Sequence, residues 1–343
     1  MPHIPNLPLG VTVLISTYNG AHRLAPTLEA LAHQNLDGIP DVELLIVDNA
    51  STDNTKQTAL DLWQKLGKPY PLTVLNEPKP GKLNAQETGF KHARYAFIIT
   101  CDDDNAFVSD YLQLGYQCLV QNPKVGVLGG QGFPKTTVPL SKWFDSYAYR
   151  FACGPQAPSS GNVNPTRNVV YGAGMWVRMK AYHQMKDLDY RFLITSRTGK
   201  KLKGGGEDGE LCWAIRFLGY QVWYLEEMKF DHYIPAERLN DEHLKRLLVG
   251  QGANGPLNNL HYRIAYGDLK KVPSFFWLRE WLYNLRDFFR LHTITDKKIR
   301  SNEKQRLLIN LSFILQARST YDKQAKQALE YYKRCESLRS SLS

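Results

Sequence analysis

Three consecutive carboxylates form the strongest chemical signal in this sequence. Asp102, Asp103 and Asp104 follow the apolar run at residues 97–100 after one further residue, Cys101, at the end of a predicted buried strand. Adjacent carboxylates repel one another, so a site that holds them together favours a bound cation. Mg²⁺ and Mn²⁺ prefer oxygen ligands and bridge carboxylates to substrate phosphates. The cluster therefore predicts a divalent-metal site with Asp102 and Asp104 directed the same way. The alternative is a solvated turn or a helix cap.

A second acidic group follows the glycines at residues 204–206. Glycines let the backbone bend sharply and approach a ligand. Glu207 and Asp208 then begin a predicted helix at residues 206–218, where the helix dipole favours anions. The pattern predicts a general base that takes the proton from an attacking hydroxyl. Ordinary helix-start chemistry is the alternative that the sequence leaves open.

The first 130 residues alternate between apolar runs and amphipathic segments. Strands are predicted at 11–16, 43–48, 72–75, 96–100 and 125–129, and helices at 24–34, 58–65, 83–95 and 111–121. This alternation predicts an α/β fold, with a mostly parallel open sheet flanked by helices and right-handed crossovers. Such sheets bind ligands outside the carboxyl ends of their strands, which is where the acidic turn lies.

The remainder of the chain differs in composition. Glycine, proline and aromatic residues are frequent between residues 132 and 203, which predicts loops and short strands around a second substrate. After the helix at 206–218, an apolar run occupies residues 222–225. From Pro273 onward the pattern is helical, with a polar break at residues 296–302. The chain is therefore expected to end in a helical extension.

Composition restricts the class of protein. Of the 343 residues, 43% are hydrophobic and 22% charged, as in a folded globular protein. Five scattered cysteines without a CxxC pair argue against disulfides and structural zinc, and favour a cytoplasmic protein with reduced thiols. Neither a signal peptide nor a transmembrane run is predicted. The net charge of +10 suits anionic partners such as diphosphates, whereas nucleic acid is not expected because no zinc-finger spacing or RNP-like strand occurs.

Six segments of the chain form an ordered pattern. They comprise residues 13–19, 45–53 and 81–85, the aspartates at 102–104, and residues 172–175 and 206–211. Together they resemble the family 2 glycosyltransferases of GT-A fold. The resemblance implies a catalytic domain at 1–240, with a nucleotide-sugar half at about 9–130 and an acceptor half at about 131–240, followed by a helical region at 241–343.

The resemblance implies a donor site at the strand ends. The implied donor-binding residues are Thr17, Asn19, Asp48, Lys82, Asn84, Asp102 and Asp103. Asp48 would bind the edge of the base, typically uracil. Asp104 would be the main metal ligand, joined by Asp102. Ordinary turn residues at strand ends, and a solvated lysine at position 82, are the alternatives.

The same resemblance implies the acceptor side. Asp208 would be the general base, with Glu207 beside it. The residues implied to form the floor of the sugar and acceptor pocket are Gly172, Gly174, Met175 and Trp176. The two glycines alternatively serve close packing. His232 is implied as a further metal ligand, and an ordinary strand histidine is the alternative.

The implied activity is transfer of a sugar, with inversion, from a nucleotide diphosphate to a hydroxyl. The expected donor is a UDP-sugar, the acceptor a glycan or lipid-linked sugar in cell-surface polysaccharide or glycan assembly, and the cofactor Mg²⁺ or Mn²⁺. Processive polysaccharide synthases of the resembled family carry a Gln-x-x-Arg-Trp motif. No such motif occurs here, so the resemblance favours a transferase that adds a single sugar. A sugar-phosphate nucleotidyltransferase would need a glycine-rich basic loop after the first strand, and residues 17–20 form none. A non-catalytic nucleotide-sugar-binding module is disfavoured because acidic residues are present at every position where the family pattern expects one.

An aromatic stripe in the C-terminal region has no counterpart in the resemblance. Its members are Phe275, Phe276, Trp277, Trp281, Leu282, Leu285, Phe288 and Phe289, with Arg279, Arg286 and Arg290 among them. Such stripes commonly pack inside a core. The other two interpretations are an interfacial helix on anionic lipid, at the inner face of the membrane, and a homodimer contact.

Overall fold

The computed structural model describes residues 6–193, 206–250, 254–295 and 297–340. Within them, the strands are β1 Val11–Thr17, β2 Val42–Asp48, β3 Leu72–Asn76, β4 Phe97–Cys101, β5 Asn105–Phe107, β6 Val125–Lys135, β7 Gly161–Asn162, β8 Met175–Arg178 and β9 Gln221–Tyr233. The helices are α1 Leu24–Ala32, α2 Thr55–Lys65, α3 Lys82–His92, α4 Tyr111–Gln121, α5 Phe144–Tyr147, α6 Met179–Asp187, α7 Glu207–Phe217, α8 Asp241–Gly250, α9 Asn254–Ala265, α10 Phe276–Phe289, α11 Lys297–Gln316 and α12 Arg318–Ser340.

All nine of these strands belong to one sheet, which confirms the predicted α/β fold. Their order is β3-β2-β1-β4-β8-β6-β9-β5, and β7 also pairs with β9. Strands β1 to β4 pair in parallel, whereas β8 is antiparallel to both β4 and β6. Parallel strands bring their carboxyl ends to the same edge, so Thr17, Asp48 and Cys101 end side by side.

Strand β1 shows why these runs are continuously apolar. Val13 and Ile15 pack into the hydrophobic cluster on one face of the sheet, and Leu14 packs into the cluster on the other. Successive side chains of a strand point to opposite faces, so a strand covered on both sides is apolar throughout. The cluster around Leu14 continues into the C-terminal helices through Leu257 of α9 and Tyr321 of α12.

Two local predictions were wrong. Helix α6 lies in the region expected to hold loops and short strands, and it buries Ala181, Tyr182 and Met185 at helical spacing. Helices α8 and α9 lie before Pro273, within the region 241–343 that the resemblance implied to be helical. The polar break expected at 296–302 is instead at 294–295, because α11 begins at Lys297; Asp296 lies outside the described residues. The first turns of α11 are polar and carry little apolar periodicity, so packing decides where this helix begins.

The C-terminal helices pack against the sheet through α7. Arg263 of α9 and Glu280 of α10 form an ion pair, and Glu280 is buried. The indole nitrogen of Trp213 in α7 donates a hydrogen bond to Asn258 Oδ1 of α9 at 2.5 Å. In the part of the chain that the structure describes, no helix has the length and apolar character needed to cross a membrane. The domain boundary at residue 240 remains a prediction.

Candidate active site

A cavity of about 550 Å³ is lined by residues at the carboxyl edge of the sheet. Its volume is in the range of small-molecule sites. The residues predicted from the sequence that line it are Lys82, Asp102, Asp103, Asp104, Gly172, Glu207, Asp208 and His232. The acidic turn after β4 and the first turn of α7 therefore face the same space, although they are far apart in sequence.

Lys82 lies between the two acidic groups. It is the first residue of α3, and its Nζ donates a hydrogen bond to Asp102 Oδ1 at 2.8 Å. Burial disfavours the charged ammonium, but the carboxylates of Asp102, Asp208 and Glu207 outweigh burial and raise the pKa of Lys82 above its usual value. The lysine therefore stays charged at neutral pH and presents a cation to the cavity.

Asp103 is bound into the framework of the site. Its Oδ2 accepts a hydrogen bond from Thr17 Oγ1 at 2.5 Å. The Arg23 guanidinium donates to both carboxylate oxygens, at 2.9 and 2.8 Å. Asp103 is 7% exposed, so these contacts tie the acidic turn to the end of β1. A direct contact of Thr17 or Asp103 with a nucleotide-sugar donor remains a prediction.

Asp104 faces His232 and Arg238. Its Oδ2 lies 3.5 Å from His232 Nε2 and 3.4 Å from Arg238 Nη1. Burial would raise the pKa of Asp104, but the charges of His232 and Arg238 hold it below the usual range. Burial would likewise lower the pKa of His232, but the negative charge of Asp104 raises it to about 10. Asp104 is thus an ionised carboxylate beside a buried imidazolium in the absence of a metal ion.

The Asp104–His232 pair fits a divalent cation. His232 Nδ1 donates to the carbonyl of Phe151 at 2.6 Å, and metal-ligating histidines are oriented by this kind of bond. A cation that displaced the Nε2 proton would find one nitrogen and one carboxylate oxygen facing the same space. Water and phosphate oxygens usually complete the coordination of Mg²⁺ in proteins.

The full ligand set predicted from the sequence is not assembled. Asp102 is held by Lys82 in an ion pair of 2.8 Å. Across the described ranges, no three His, Cys, Asp or Glu side chains form a group that could hold a metal ion. Consecutive residues of a turn point in different directions, so three adjacent aspartates have three different partners.

The first turn of α7 presents a carboxylate oxygen that forms no hydrogen bond within the described part of the chain. Gly206 precedes the helix with a φ of 104°, a left-handed conformation that favours glycine. Asp208 Oδ1 is buried and has no hydrogen-bond partner among the described residues. A buried acceptor left unpaired is costly, so a ligand that donates a hydrogen bond is expected at this atom. Gly204 and Gly205, also part of the predicted motif, lie outside the described residues.

Gly172 packs directly against this carboxylate. A Cβ at position 172 would overlap the Asp208 carboxyl group, and Thr100 Oγ1 anchors the Gly172 carbonyl at 2.7 Å. Gly172→Ala is therefore expected to displace Asp208 and to lower kcat by at least about tenfold, because small misplacements of a catalytic group are costly. Steady-state kinetics together with the melting temperature will separate this effect from unfolding.

The control is Gly209→Ala, which adds the same methyl group one residue after Asp208. A Cβ at Gly209 meets its nearest atom at 3.7 Å, an ordinary contact, so little change in kcat is expected. A folded Gly172→Ala variant with wild-type turnover would contradict the proposed positioning of Asp208.

Three other predicted donor residues lie beside the cavity and do not line it. Asn19 Oδ1 accepts a hydrogen bond from the backbone nitrogen of Thr52 at 2.8 Å. Asp48 Oδ1 accepts one from the backbone nitrogen of Ser51 at 3.2 Å. The Asn84 amide donates to the backbone of the loop before α3 at 3.0 Å. These side chains cross-link the loops at the carboxyl edge, and their contact with a base remains a prediction.

Three of the four residues predicted to form the pocket floor are placed behind it. Met175 and Trp176 are fully buried in β8, with the Trp176 ring against Gly115 of α4. The Gly174 carbonyl accepts a hydrogen bond from Tyr111 Oη at 2.9 Å. Gly172 lines the cavity, whereas these three residues support it from the core. A central strand covered by core clusters on both faces leaves its side chains no route to the cavity.

Several cavity residues belong to no motif that sequence reasoning could detect. Arg238 follows β9, and Arg167 lies in a loop with its guanidinium 4.4 Å from the centre of the Tyr171 ring. Asn258 and His261 come from α9. Burial lowers the pKa of His261 to about 3, so it is neutral. Asn258 and His261 reach the site through the packing of α9 against α7, which leaves no local pattern in the sequence.

The sheet order, and the cavity that the acidic turn shares with α7, are typical of the GT-A fold of glycosyltransferases. Residues 12–185, just over half of the chain, match the family model described as glycosyl transferase family 2, and the chain belongs to that family. The predicted family and fold are thereby confirmed.

Individual relatives are distant. Poly-beta-1,6-N-acetyl-D-glucosamine synthase from Staphylococcus epidermidis is 27% identical over 121 residues, and the match spans 35% of this chain and 28% of that protein. The mannosyltransferase PcManGT from Pyrobaculum calidifontis, solved with GDP-Man and Mn²⁺, is 15% identical with a TM-score of 0.52. The match covers 98% of this chain and 80% of the PcManGT chain. The S. aureus TarS 1-349 structure with UDP-GlcNAc is 15% identical with a TM-score of 0.50. The match covers 97% of this chain and 92% of the TarS chain. Likeness at this identity shows the fold alone.

Proposed function

We propose that this chain moves a sugar from a nucleotide diphosphate, most simply a UDP-sugar, to a hydroxyl of a glycan or lipid-linked acceptor, with inversion. The observation that carries the proposal is one cavity lined both by Asp208, whose Oδ1 has no hydrogen-bond partner among the described residues, and by the Asp104–His232 pair. Support comes from solved structures of the same fold that hold UDP-GlcNAc, or GDP-Man with Mn²⁺. The name of the Staphylococcus epidermidis synthase supports a role in cell-surface polysaccharide assembly.

In the proposed reaction, Asp208 activates the acceptor. The acceptor oxygen attacks the anomeric carbon of the donor, and the new C–O bond forms as the bond from that carbon to the phosphate oxygen breaks. The bonding electrons leave with the nucleoside diphosphate, and the hydroxyl proton passes to Asp208. A single displacement with one base inverts the anomeric configuration. Asp208 Oδ1 has no hydrogen-bond partner in the described chain, so it is available to accept that proton.

The cations of the cavity stabilise the departing diphosphate. Lys82 and Arg238 contribute positive charge on the side of the acidic turn. A divalent cation held by Asp104 and His232 would supply Lewis-acid stabilisation of the leaving group. Fixed charges in a partly enclosed cavity stabilise developing charge better than bulk water does, because they need no reorganisation.

We also propose that the chain works in the cytoplasm. Its five cysteines are all free and buried, and none forms a disulfide. Unpaired thiols are typical of proteins from reducing compartments. Sulfhydryl titration of the native and unfolded purified chain will test the state of these cysteines.

Donor turnover tests the proposed reaction. The full chain is incubated with UDP-GlcNAc, UDP-glucose or GDP-mannose and Mn²⁺, and nucleoside diphosphate release is measured with and without EDTA. We expect slow, metal-dependent release even without acceptor, together with a higher melting temperature in the presence of the preferred donor. Pyrophosphate release from UTP and a sugar 1-phosphate would instead indicate a nucleotidyltransferase. Donor binding without any release would indicate a binding module.

A further inference from the structure

The aromatic stripe of the C-terminal region is divided between two faces of α10. On the inner face, Phe276 is fully buried, and Trp277 and Trp281 pack against the core. On the outer face, four large apolar side chains are exposed to solvent. They are Phe275 (69%), Leu278 (39%), Leu282 (50%) and Phe289 (67%). Core packing therefore accounts for one side of the stripe and leaves the other side unexplained.

The exposed side chains form a continuous row. Leu278, Leu282 and Phe289 are separated by four and seven residues, so they lie on one line along the helix surface, and Phe275 lies directly before the helix begins. Single exposed leucines are ordinary on protein surfaces, whereas an aligned row of this kind marks an interaction site. We call this row, formed by Phe275, Leu278, Leu282 and Phe289, the apolar ridge.

Arginines flank the apolar ridge. Arg279, Arg286 and Arg290 lie next to it on the surface of α10 and just after its end. Arg286 is paired with Asp287 at 2.9 Å, and Arg279 donates to Tyr283 Oη at 3.1 Å. The other acid of the helix, Glu280, is buried against Arg263. The exposed side of α10 therefore combines apolar side chains with an excess of positive charge.

We propose that this face of α10 docks on the anionic surface of a lipid bilayer. The apolar ridge would enter the boundary between headgroups and acyl chains, while the arginines contact lipid phosphates. Long arginine side chains suit this position because their apolar stems can stay beside the ridge while the guanidinium groups reach the headgroups. A bilayer supplies both an apolar phase and negative charge, and so complements both features of the surface.

Charge also favours a bilayer over a second copy of the chain. A two-fold symmetric contact places the same patch on both partners. Pairing two copies through the apolar ridge would bring the arginines of one copy close to those of the other, and like charges oppose association. The overall net charge of +10 adds to the attraction for an anionic surface. This proposal does not depend on the identity of the donor or acceptor.

Vesicle flotation tests the proposal. The full chain is mixed with vesicles of phosphatidylcholine alone or of phosphatidylcholine with phosphatidylglycerol, and the bound fraction is measured at low and high salt. We expect binding to the anionic vesicles and a marked loss of binding at high salt. The double variant Leu282→Gln, Phe289→Ser should weaken binding at least about tenfold. Arg286→Gln with Arg290→Gln should weaken it about fivefold for each arginine.

Leu60→Gln is the matched control. Leu60 of α2 is 37% exposed, and this exposed fraction is similar to the 39% of Leu278. It lies on a different helix, away from the apolar ridge. It should leave vesicle binding unchanged. All these side chains are exposed, so melting temperatures and donor turnover in solution should stay near wild type. That readout separates failure of membrane docking from failure of the catalytic proposal.

Two outcomes would overturn the docking proposal. One is equal binding to neutral and anionic vesicles, or anionic binding that the α10 variants leave intact. The other is a dimer, detected by light scattering, that dissociates in the Leu282→Gln, Phe289→Ser variant while the wild-type chain ignores vesicles. The second result would assign the apolar ridge to a homodimer.

Discussion

Asp208→Asn should lower kcat at least about 100-fold and leave donor binding intact. The amide has nearly the same size as the carboxylate, so it preserves the packing against Gly172 but cannot take the acceptor proton. The measurement is single-turnover transfer, with donor affinity determined separately by calorimetry. Among the described residues, Asp208 Oδ1 has no hydrogen-bond partner, so the substitution removes no hydrogen bond to the protein at this atom.

The control for this variant is Asp61→Asn, the same substitution at an exposed site on α2. It should leave kcat unchanged. Wild-type turnover by Asp208→Asn would show that another group is the base, and Glu207 would be the next residue to test because it lines the same cavity.

Asp104→Asn should abolish metal-dependent turnover, with a loss of at least about 100-fold. The amide oxygen is neutral and a weaker ligand for Mg²⁺ or Mn²⁺. The substitution also leaves buried His232 and nearby Arg238 without their shared carboxylate. Titration of Mn²⁺ into the chain with UDP present, followed by calorimetry, measures the effect without requiring turnover.

The neighbouring acid provides a sharp contrast. Asp103→Asn removes the same charge one residue earlier, but its partners are Arg23 and Thr17. We expect a lower melting temperature and a retained response to Mn²⁺. If Asp104→Asn kept its Mn²⁺ response while Asp102→Asn lost it, the metal would belong on the Lys82 side of the cavity.

The acidic turn shows how far sequence patterns reach. The apolar run of β4 and the three aspartates after it predict a polar cluster at a strand end, and the structure places them there. The pattern treats the three acids as equivalent. In the fold, Asp102 binds Lys82, Asp103 binds Arg23, and Asp104 faces His232. The direction of each side chain depends on backbone angles and on partners that are distant in sequence.

The pocket floor shows the opposite limit. Met175 and Trp176 occur in a glycine-containing segment that resembles the family pattern, yet both are core residues of β8. Asn258 and His261 belong to no such pattern, yet both line the cavity. Burial within a central strand, and the docking of α9 on α7, are tertiary properties that a linear motif does not encode.

The sequence alone determined the α/β architecture, the acidic turn and the acidic start of α7, because strand periodicity, charge clusters and glycine are local properties of the chain. Tertiary structure decided which carboxylate has which partner, that His232 lies beside Asp104, and that α9 lines the cavity. It also decided which side of the aromatic stripe is buried. These outcomes depend on contacts between segments far apart in sequence, and such contacts form only when the two core clusters close around the sheet.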